Sequence, residues 1–214
     1  HWSLENRVLD TQHVGDAVLH TLLREAKTTS DLAQTYAWGM NPLELSTKVI
    51  DSGIVDQPVN RVTNELSELA DGLAIVESFS HSIAWDTGDG LLIADASGVG
   101  SGEWVVASLR NWSTKPVSHL FYTHGHADHV GGSFAFAEDA QRRGYQAPDV
   151  IGHENVARRL DRYQYTNNWN LAINQRQFGG IPSEMGLEVG GNGKKFLPAS
   201  TLRPTTVVED ALTM

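Results

Sequence analysis

The chain has 214 residues, which is enough for one sizeable domain or for one domain with an extension. With 40% apolar and 20% charged residues its composition is that of a folded globular protein, and the net charge of −10 argues against a nucleic-acid or acidic-membrane binder, because phosphate contacts need clustered Lys and Arg. The sequence has no cysteine and no apolar run near the roughly 20 residues of a membrane span, so any metal must be held by His, Asp or Glu, and the cellular compartment stays open.

Residues 1–70 are predicted to form a helical N-terminal extension. Apolar residues within 11–27 recur at helical spacing, and residues 41–50 predict a shorter helix with Pro42 near its first turn. Side chains that carry chemistry are not concentrated in this part of the sequence, so we expect no functional site there.

Short apolar runs separated by turn signals begin at residue 71. The first predicted strands are joined by a hairpin at 86–90, and the later ones alternate with helices. This alternation predicts an α/β domain of layered architecture over residues 71–214. The predicted strands cover 72–79, 81–85, 90–96, 117–124 and 148–153, and the predicted helices cover 101–112, 132–144 and 154–163.

The last residues of the sequence, "VVEDALTM" (207–214), are again apolar and strand-like. Domains usually end in exposed polar residues, so this ending indicates a sheet that continues. We therefore expect the rest of the domain to follow as a C-terminal segment or to be supplied by a separate chain.

Histidine and aspartate cluster directly after the predicted strand 117–124. His124, His126, Asp128 and His129 form an H-x-H-x-D-H pattern, in a chain that has nine histidines in all. A loop at the end of a strand points its side chains beyond the sheet edge, where α/β layers place their ligands. Imidazoles and a carboxylate suit zinc and would also accept iron or manganese, so the pattern predicts a metal site rather than a solvated polar loop.

The stretch "THGHADHVGG" (123–132) resembles the signature of the metallo-β-lactamase superfamily, and the resemblance runs from about residue 72 to the C-terminus. It implies an αββα sandwich, of which this chain would form the N-terminal half. It also implies two metal ions, for which zinc is expected. His124 and His126 would bind one ion, and Asp128 and His129 would bind the second.

A second stretch, 153–180, resembles the helical insert of alkylsulfatase-like members, which carry an appended dimerisation domain. The match lies in the "HENV" turn, in an Arg-Tyr pair and in the run "NLAINQRQFG". It implies substrate contacts from Asn170, Asn174 and Arg176, because amides and a planar guanidinium suit a sulfate oxyanion. An ordinary helix–loop–helix insert without a binding role is the alternative.

The other histidines of the α/β region are expected to be structural. His81 and His119 fall in predicted strands, and His153 in the "HENV" turn is expected to support the site from behind rather than to bind metal. The remaining metal ligands of the alkylsulfatase-like branch have no match in this sequence.

The resemblance implies a metallo-hydrolase of the sulfuric ester hydrolase class, which cleaves alkyl sulfate esters with a hydroxide held by two zinc ions. Asp128 would bind one ion and orient the hydroxide, and is therefore the predicted catalytic residue. The substrate would be a small anionic ester with an apolar tail, and the complete protein would be a homodimer. Neither a nucleic-acid partner nor a membrane span is expected.

Two other classes of function stay open at this point. One is a different hydrolase of the same fold, such as a lactonase, a thioesterase or a β-lactamase. The other is a non-catalytic metal-binding subunit that uses the helical extension as its interaction surface. A nuclease is disfavoured because the chain has a net charge of −10 and no basic stripe.

Overall fold

The structure is a computed structural model that describes residues 40–56, 60–178 and 195–213 of the chain. The helix predicted within 11–27 lies outside these residues. The description below therefore covers the end of the predicted extension and most of the predicted α/β domain.

The first of two units, residues 1–57, contains one helix in its described part, α1 (Pro42–Ser52). The Asn41 side chain accepts a hydrogen bond from a backbone N–H of the first turn, and the Glu44 carboxylate accepts one from the Asn41 N–H at 3.1 Å. These reciprocal bonds satisfy donors that have no partner within the helix. The helix ends at Gly53, whose φ of 67° is the left-handed conformation common after helices. The shorter predicted helix is confirmed.

The second unit, residues 58–214, is built on a mixed sheet whose seven described strands lie side by side in chain order. The strands β1 to β4 form an antiparallel meander, and β4 to β7 are parallel. Parallel neighbours need long crossover connections, which the helices of this unit provide in part. The strands are β1 (Leu66–Ala70), β2 (Leu73–Val76), β3 (Ser82–Asp86), β4 (Leu91–Ala94), β5 (Val117–Tyr122), β6 (Asp149–His153) and β7 (Thr206–Val208).

Helices cover one face of this sheet and bury its apolar side chains. The helices are α2 (Gly102–Trp112), α3 (Ala127–Val130), a 3-10 turn (Gly131–Ser133), α4 (Phe134–Arg143), α5 (Glu154–Tyr165) and α6 (Asn167–Phe178). The core combines every second residue of the central strands with apolar residues of α2, α4 and α5, as the two-residue period of a strand requires. The fold is thus the predicted α/β class, with the sheet and the helices in separate layers. The strand residues of this hydrophobic core include Ala74, Val76, Ala84, Ile93, Leu120, Tyr122 and Val150.

The first strand, β1, lies in a segment that the sequence assigned to the helical extension. "LSELA" has no β-branched or aromatic residue, so its local propensity does not indicate a strand. It is extended because it pairs with β2 across a tight turn at Gly72, whose φ of 70° is a left-handed conformation that favours glycine. The sheet therefore starts at Leu66, before the predicted boundary at residue 71.

The opposite face of the sheet is apolar and partly exposed. Trp85 on β3 is 45% exposed and Phe121 on β5 is 39% exposed. Leu92 on β4 is the register partner of Trp85 and lines a groove together with Phe121. An open groove on this face is also lined by Val208 and Leu212. Within the described ranges no helix combines the length and the apolar character that a membrane crossing demands.

Candidate metal centre

The H-x-H-x-D-H loop lies at the carboxyl end of the parallel strands. β5 ends at Tyr122, and the loop that follows leads into α3, whose first residue is Ala127. The neighbouring strand β4 ends at Ala94, so that Asp95 comes out at the same edge. Carboxyl ends of adjacent parallel strands form the crevice where α/β proteins bind ligands. The topology thus gathers side chains from two loops at one place.

The imidazole rings of His124 and His126 lie next to each other, with one ring nitrogen of each directed toward the other. Nε2 of His124 lies 2.8 Å from Nδ1 of His126, and the ring centroids are 4.5 Å apart. Burial lowers the pKa of both imidazoles, and the positive charge of Arg159 lowers that of His126 further. Both rings are therefore neutral near pH 7, which is the form that binds a metal ion.

Asp128 and His129 form a second group of donors beside the first. Nε2 of His129 lies 3.6 Å from Oδ2 of Asp128, and the ring of His129 is 4.0 Å from that of His124. The Ser80 hydroxyl donates to Asp128 Oδ2 at 2.8 Å and lies 2.9 Å from His129 Nε2. Ser80 was not predicted as a site residue, because it precedes β3 and is far from the histidine motif along the chain.

Asp95 holds the histidines of both groups in one orientation. This buried carboxylate accepts hydrogen bonds from His129 Nδ1 at 2.7 Å and from the Thr123 hydroxyl at 2.6 Å. The Thr123 oxygen in turn lies 3.0 Å from His124 Nδ1 and is free to accept its proton. Because a carboxylate only accepts, Nδ1 of His129 carries a proton, and Nε2 is the nitrogen left to bind a metal. Burial by itself would lower the pKa of this imidazole, but the Asp95 hydrogen bond and the charges of Asp95 and Asp128 raise it.

The donor atoms of these residues converge closely enough to hold metal. One donor atom each from Asp95, His124 and His129 lies within 4.8 Å of the others. Both Asp95 oxygens already accept hydrogen bonds, including one from the Thr123 backbone N–H, so we infer that Asp95 positions ligands rather than binding metal. The imidazole and carboxylate donors fit a divalent ion of the zinc type.

Residues 78–206 match the family described as the metallo-beta-lactamase superfamily. The chain belongs to this superfamily. Membership implies a site for divalent metal and hydrolytic chemistry, and the histidine-rich loop lies within the matched residues. The superfamily part of the sequence-based identification is thereby confirmed.

Several solved structures of metallo-beta-lactamase type are similar to this chain. Native FEZ-1 from Legionella gormanii is 12% identical over 72% of this chain and 49% of that chain, with a TM-score of 0.48. BJP-1, a subclass B3 enzyme of Bradyrhizobium japonicum, is 18% identical over 72% and 49%, with a TM-score of 0.44. The inverting sec-alkylsulfatase Pisa1 from Pseudomonas sp. is 20% identical over 53% and 18%, with a TM-score of 0.40.

The chain spans less than half the length of these three structures. A search of curated proteins found no match. At such low identity the structural likenesses carry no inference about substrate, so the activity of the whole protein has to be argued from its own site.

A cavity of about 310 Å³ opens beside the histidine loop of this superfamily member, and His126 and Asp128 are part of its wall. Two of the predicted substrate contacts, Asn170 and Asn174 on α6, also line it. The third, Arg176, is exposed and is not part of the cavity wall. The helical arrangement explains the difference, since residues two apart on a helix point about 200° apart around its axis.

His153, which was expected to support the site from behind, contacts backbone groups of its own turn and of the segment after β7. Its Nδ1 accepts from the Asn155 N–H at 3.1 Å at the start of α5, and its Nε2 lies 2.9 Å from the Glu209 carbonyl oxygen. Both ring nitrogens are thus used in joining β6, α5 and the segment after β7.

Replacing Asp95 by Asn is expected to lower zinc affinity by about 10–100-fold, because an amide cannot accept all three hydrogen bonds that orient the ligands. Asp95 has a φ of 62°, which Asn tolerates well, so the change is isosteric without new backbone strain. A competition titration against a chromophoric chelator measures the affinity. Asp139→Asn is the control, since Asp139 is a buried carboxylate that pairs with Arg110 away from the metal loop. Equal zinc affinities in the two variants would contradict the positioning role of Asp95.

Proposed function

We propose that this chain carries the metal-binding half of the active site of a hydrolase that cleaves alkyl sulfate esters. The observation that carries the proposal is the convergence of His124 and His126 ring nitrogens beside Asp128 and His129, at the edge of a cavity lined by both polar and apolar side chains. The superfamily accounts for the hydrolytic class. The choice of a sulfate ester as the substrate rests on the resemblance of residues 153–180 to alkylsulfatase-like proteins.

Two zinc ions are the proposed cofactor. His124 Nε2 and His126 Nδ1 would hold one ion, and Asp128 and His129 Nε2 would hold the other. When bound, such a pair of ions supplies a water of lowered pKa and neutralises negative charge on the substrate. The lowered pKa values of His124 and His126 favour this use, because a protonated imidazole cannot bind metal.

The residues of the chain around the ions would orient the reacting groups. Asp128 is proposed as the catalytic residue, since its carboxylate accepts a hydrogen bond from the Ser80 hydroxyl, lies beside the proposed ligands and would orient a water held by the ions. Asp95 would keep the ligands in place through Thr123 and His129. This arrangement fixes the geometry before substrate arrives, which lowers the cost of reorganisation during reaction.

The substrate would occupy the cavity with its apolar tail away from the metal loop. Phe79, Ile173 and Phe196 give the wall its apolar part, while the amides of Asn170 and Asn174 give it hydrogen-bonding groups. Such a mixture suits a small amphiphilic anion: the apolar part provides burial and a few polar groups fix orientation.

The apolar sheet face of Trp85, Leu92 and Phe121 indicates that another structural element packs on it. Exposed apolar patches of this kind mark surfaces that another element covers. We propose that the second half of the αββα sandwich packs there, either as a C-terminal segment or as a separate chain, and that it supplies the remaining metal ligands. The homodimer rests on the alkylsulfatase resemblance alone and stays a prediction.

Sulfate release from decyl sulfate by the zinc-loaded full-length protein tests the proposed function. We expect turnover in the wild type and a loss of at least about a hundredfold in Asp128→Asn, with the zinc content measured in both proteins. Turnover of a lactone, a thioester or a penicillin without any sulfate release would assign a different hydrolase. Tight zinc binding with no hydrolysis of any of these esters or amides would favour the non-catalytic subunit.

A further inference from the structure

The cavity beside the metal loop is positively charged on the side formed by α5. Arg159 and Arg162 both line it, and within the described residues neither guanidinium forms an ion pair. Asp128, which also lines the cavity, is proposed above as a metal ligand, and its charge would be taken up by the metal. In a chain with a net charge of −10, two arginines at one cavity that have no acidic partner among residues 40–56, 60–178 and 195–213 require an explanation.

Arg159 is held in a fixed position rather than extended into solvent. Its Nε donates to the Tyr163 hydroxyl at 3.0 Å, and its guanidinium carbon lies 5.5 Å from the centre of the Tyr163 ring. That ring is buried and packs on Phe196, with the ring centroids 5.0 Å apart. The contacts leave the two terminal nitrogens of Arg159 without a partner among the described residues, in the fork that matches two oxygens of an anion.

Gly125 brings Arg159 close to the metal loop. A Cβ at Gly125 would lie 3.2 Å from Cβ and 3.3 Å from Cδ of Arg159, so the aliphatic part of the arginine packs directly on the glycine between His124 and His126. The arginine is therefore an immediate neighbour of the proposed metal ligands.

We propose that Arg159, assisted by Arg162, is the residue that recognises the oxyanion of the substrate. This proposal rests on the function proposed above and replaces Arg176 as the anion contact, since Arg176 does not line the cavity. The oxyanion would bind between the Arg159 fork and the metal loop, with the apolar part of the ligand against the wall near Ile173. Arg162 is exposed and would add charge without a fixed geometry.

An oxyanion of this kind is either tetrahedral, as in a sulfate or sulfonate, or planar, as in a carboxylate. Both are monoanions that an arginine fork binds with two hydrogen bonds. The probes are therefore 1-octanesulfonate, which cannot be hydrolysed, octanoate, and neutral 1-octanol. If an Arg159 variant loses the binding of both anions, the arginine recognises negative charge in general. If it loses only the binding of the sulfonate, the arginine recognises a tetrahedral anion.

Isothermal titration calorimetry on the zinc-loaded full-length protein compares Arg159→Gln with Arg158→Gln. Arg158 is the matched control because it is the next residue of α5, is 69% exposed and pairs with Glu154. We expect Arg159→Gln to bind 1-octanesulfonate about tenfold or more weakly, Arg158→Gln to bind it like the wild type, and all three proteins to bind 1-octanol equally.

Equal sulfonate affinities for the two variants, or a loss of 1-octanol binding equal to the loss of sulfonate, would overturn the proposal. If Arg159→Gln does not fold, as judged by far-ultraviolet circular dichroism, Arg159→Lys takes its place, because it keeps the stem and the charge but lacks the fork. A sulfonate affinity of Arg159→Lys equal to that of the wild type would then contradict recognition by the fork. Because binding is measured without turnover, the outcome is independent of whether decyl sulfate is hydrolysed.

Discussion

His126→Ala is expected to leave about one zinc ion per chain in a protein that otherwise binds two, and to abolish hydrolysis. The reason is that Nδ1 of His126 faces Nε2 of His124 at 2.8 Å, so that removing one ring takes away half of the protein donors that this chain offers to the first ion. Asp128 and His129 are left intact, since their hydrogen bonds run to Ser80 and Asp95. Metal content after dialysis, measured by plasma emission spectrometry, gives the stoichiometry.

Two further variants make this expectation specific. His129→Ala should remove the other ion and leave the first, because its Nε2 belongs to the second group of donors. His119→Ala should retain both ions, since His119 lies within β5 and contacts the Ser118 hydroxyl rather than the loop. Loss of both ions in each loop variant would contradict two separate groups of donors, and loss of an ion in His119→Ala would contradict the assignment of the site to the loop.

The histidine loop was predictable because its members are neighbours in sequence. His124, His126 and His129 lie on one short stretch, so a single strand end and one turn are enough to bring them together. Asp95 belongs to a different loop, and only the parallel pairing of β4 with β5 carries it to the site. The run "GLLIADA" did contain a signal for Asp95, namely a carboxylate at the end of a buried strand. The sequence does not show, however, which strand pairs with this one, because that depends on the topology of the sheet.

The residues of the cavity wall were harder to predict from the sequence than the histidine loop. A helix was predicted over 154–163, and α5 confirms it, yet the side of α5 that faces the cavity follows from packing against Gly125 and Phe196. The sequence resemblance pointed to Arg176, whereas the packed structure brings Arg159 to the metal loop. Local patterns therefore predict which segments are helical, while tertiary contacts decide which of their charged residues meet the site.

Gly132, in the 3-10 turn after α3, lies where two backbone segments of the fold approach each other closely. A Cβ there would lie 2.3 Å from the Ala96 carbonyl oxygen and 2.7 Å from Cα of Gly102. The same junction carries hydrogen bonds from Gly132 N–H to the Ser97 oxygen and from Ala96 N–H to the His129 oxygen, at 3.0 and 2.7 Å. The loop after β4 and the metal loop are therefore joined through their backbones at this glycine.

Gly132→Ala is expected to destabilise the protein by about 3 kcal/mol or more, because the added methyl group meets backbone atoms that no rotamer change can move aside. Urea unfolding followed by tryptophan fluorescence, with a chelator present to exclude stabilisation by metal, measures the change in the free energy of unfolding. Gly144→Ala is the control: Gly144 has a φ of 70° with open space around it, so it reports the cost of backbone strain alone, about 1–2 kcal/mol. If Gly132→Ala loses no more stability than Gly144→Ala, the close approach of the two loops is not what fixes the metal loop in place.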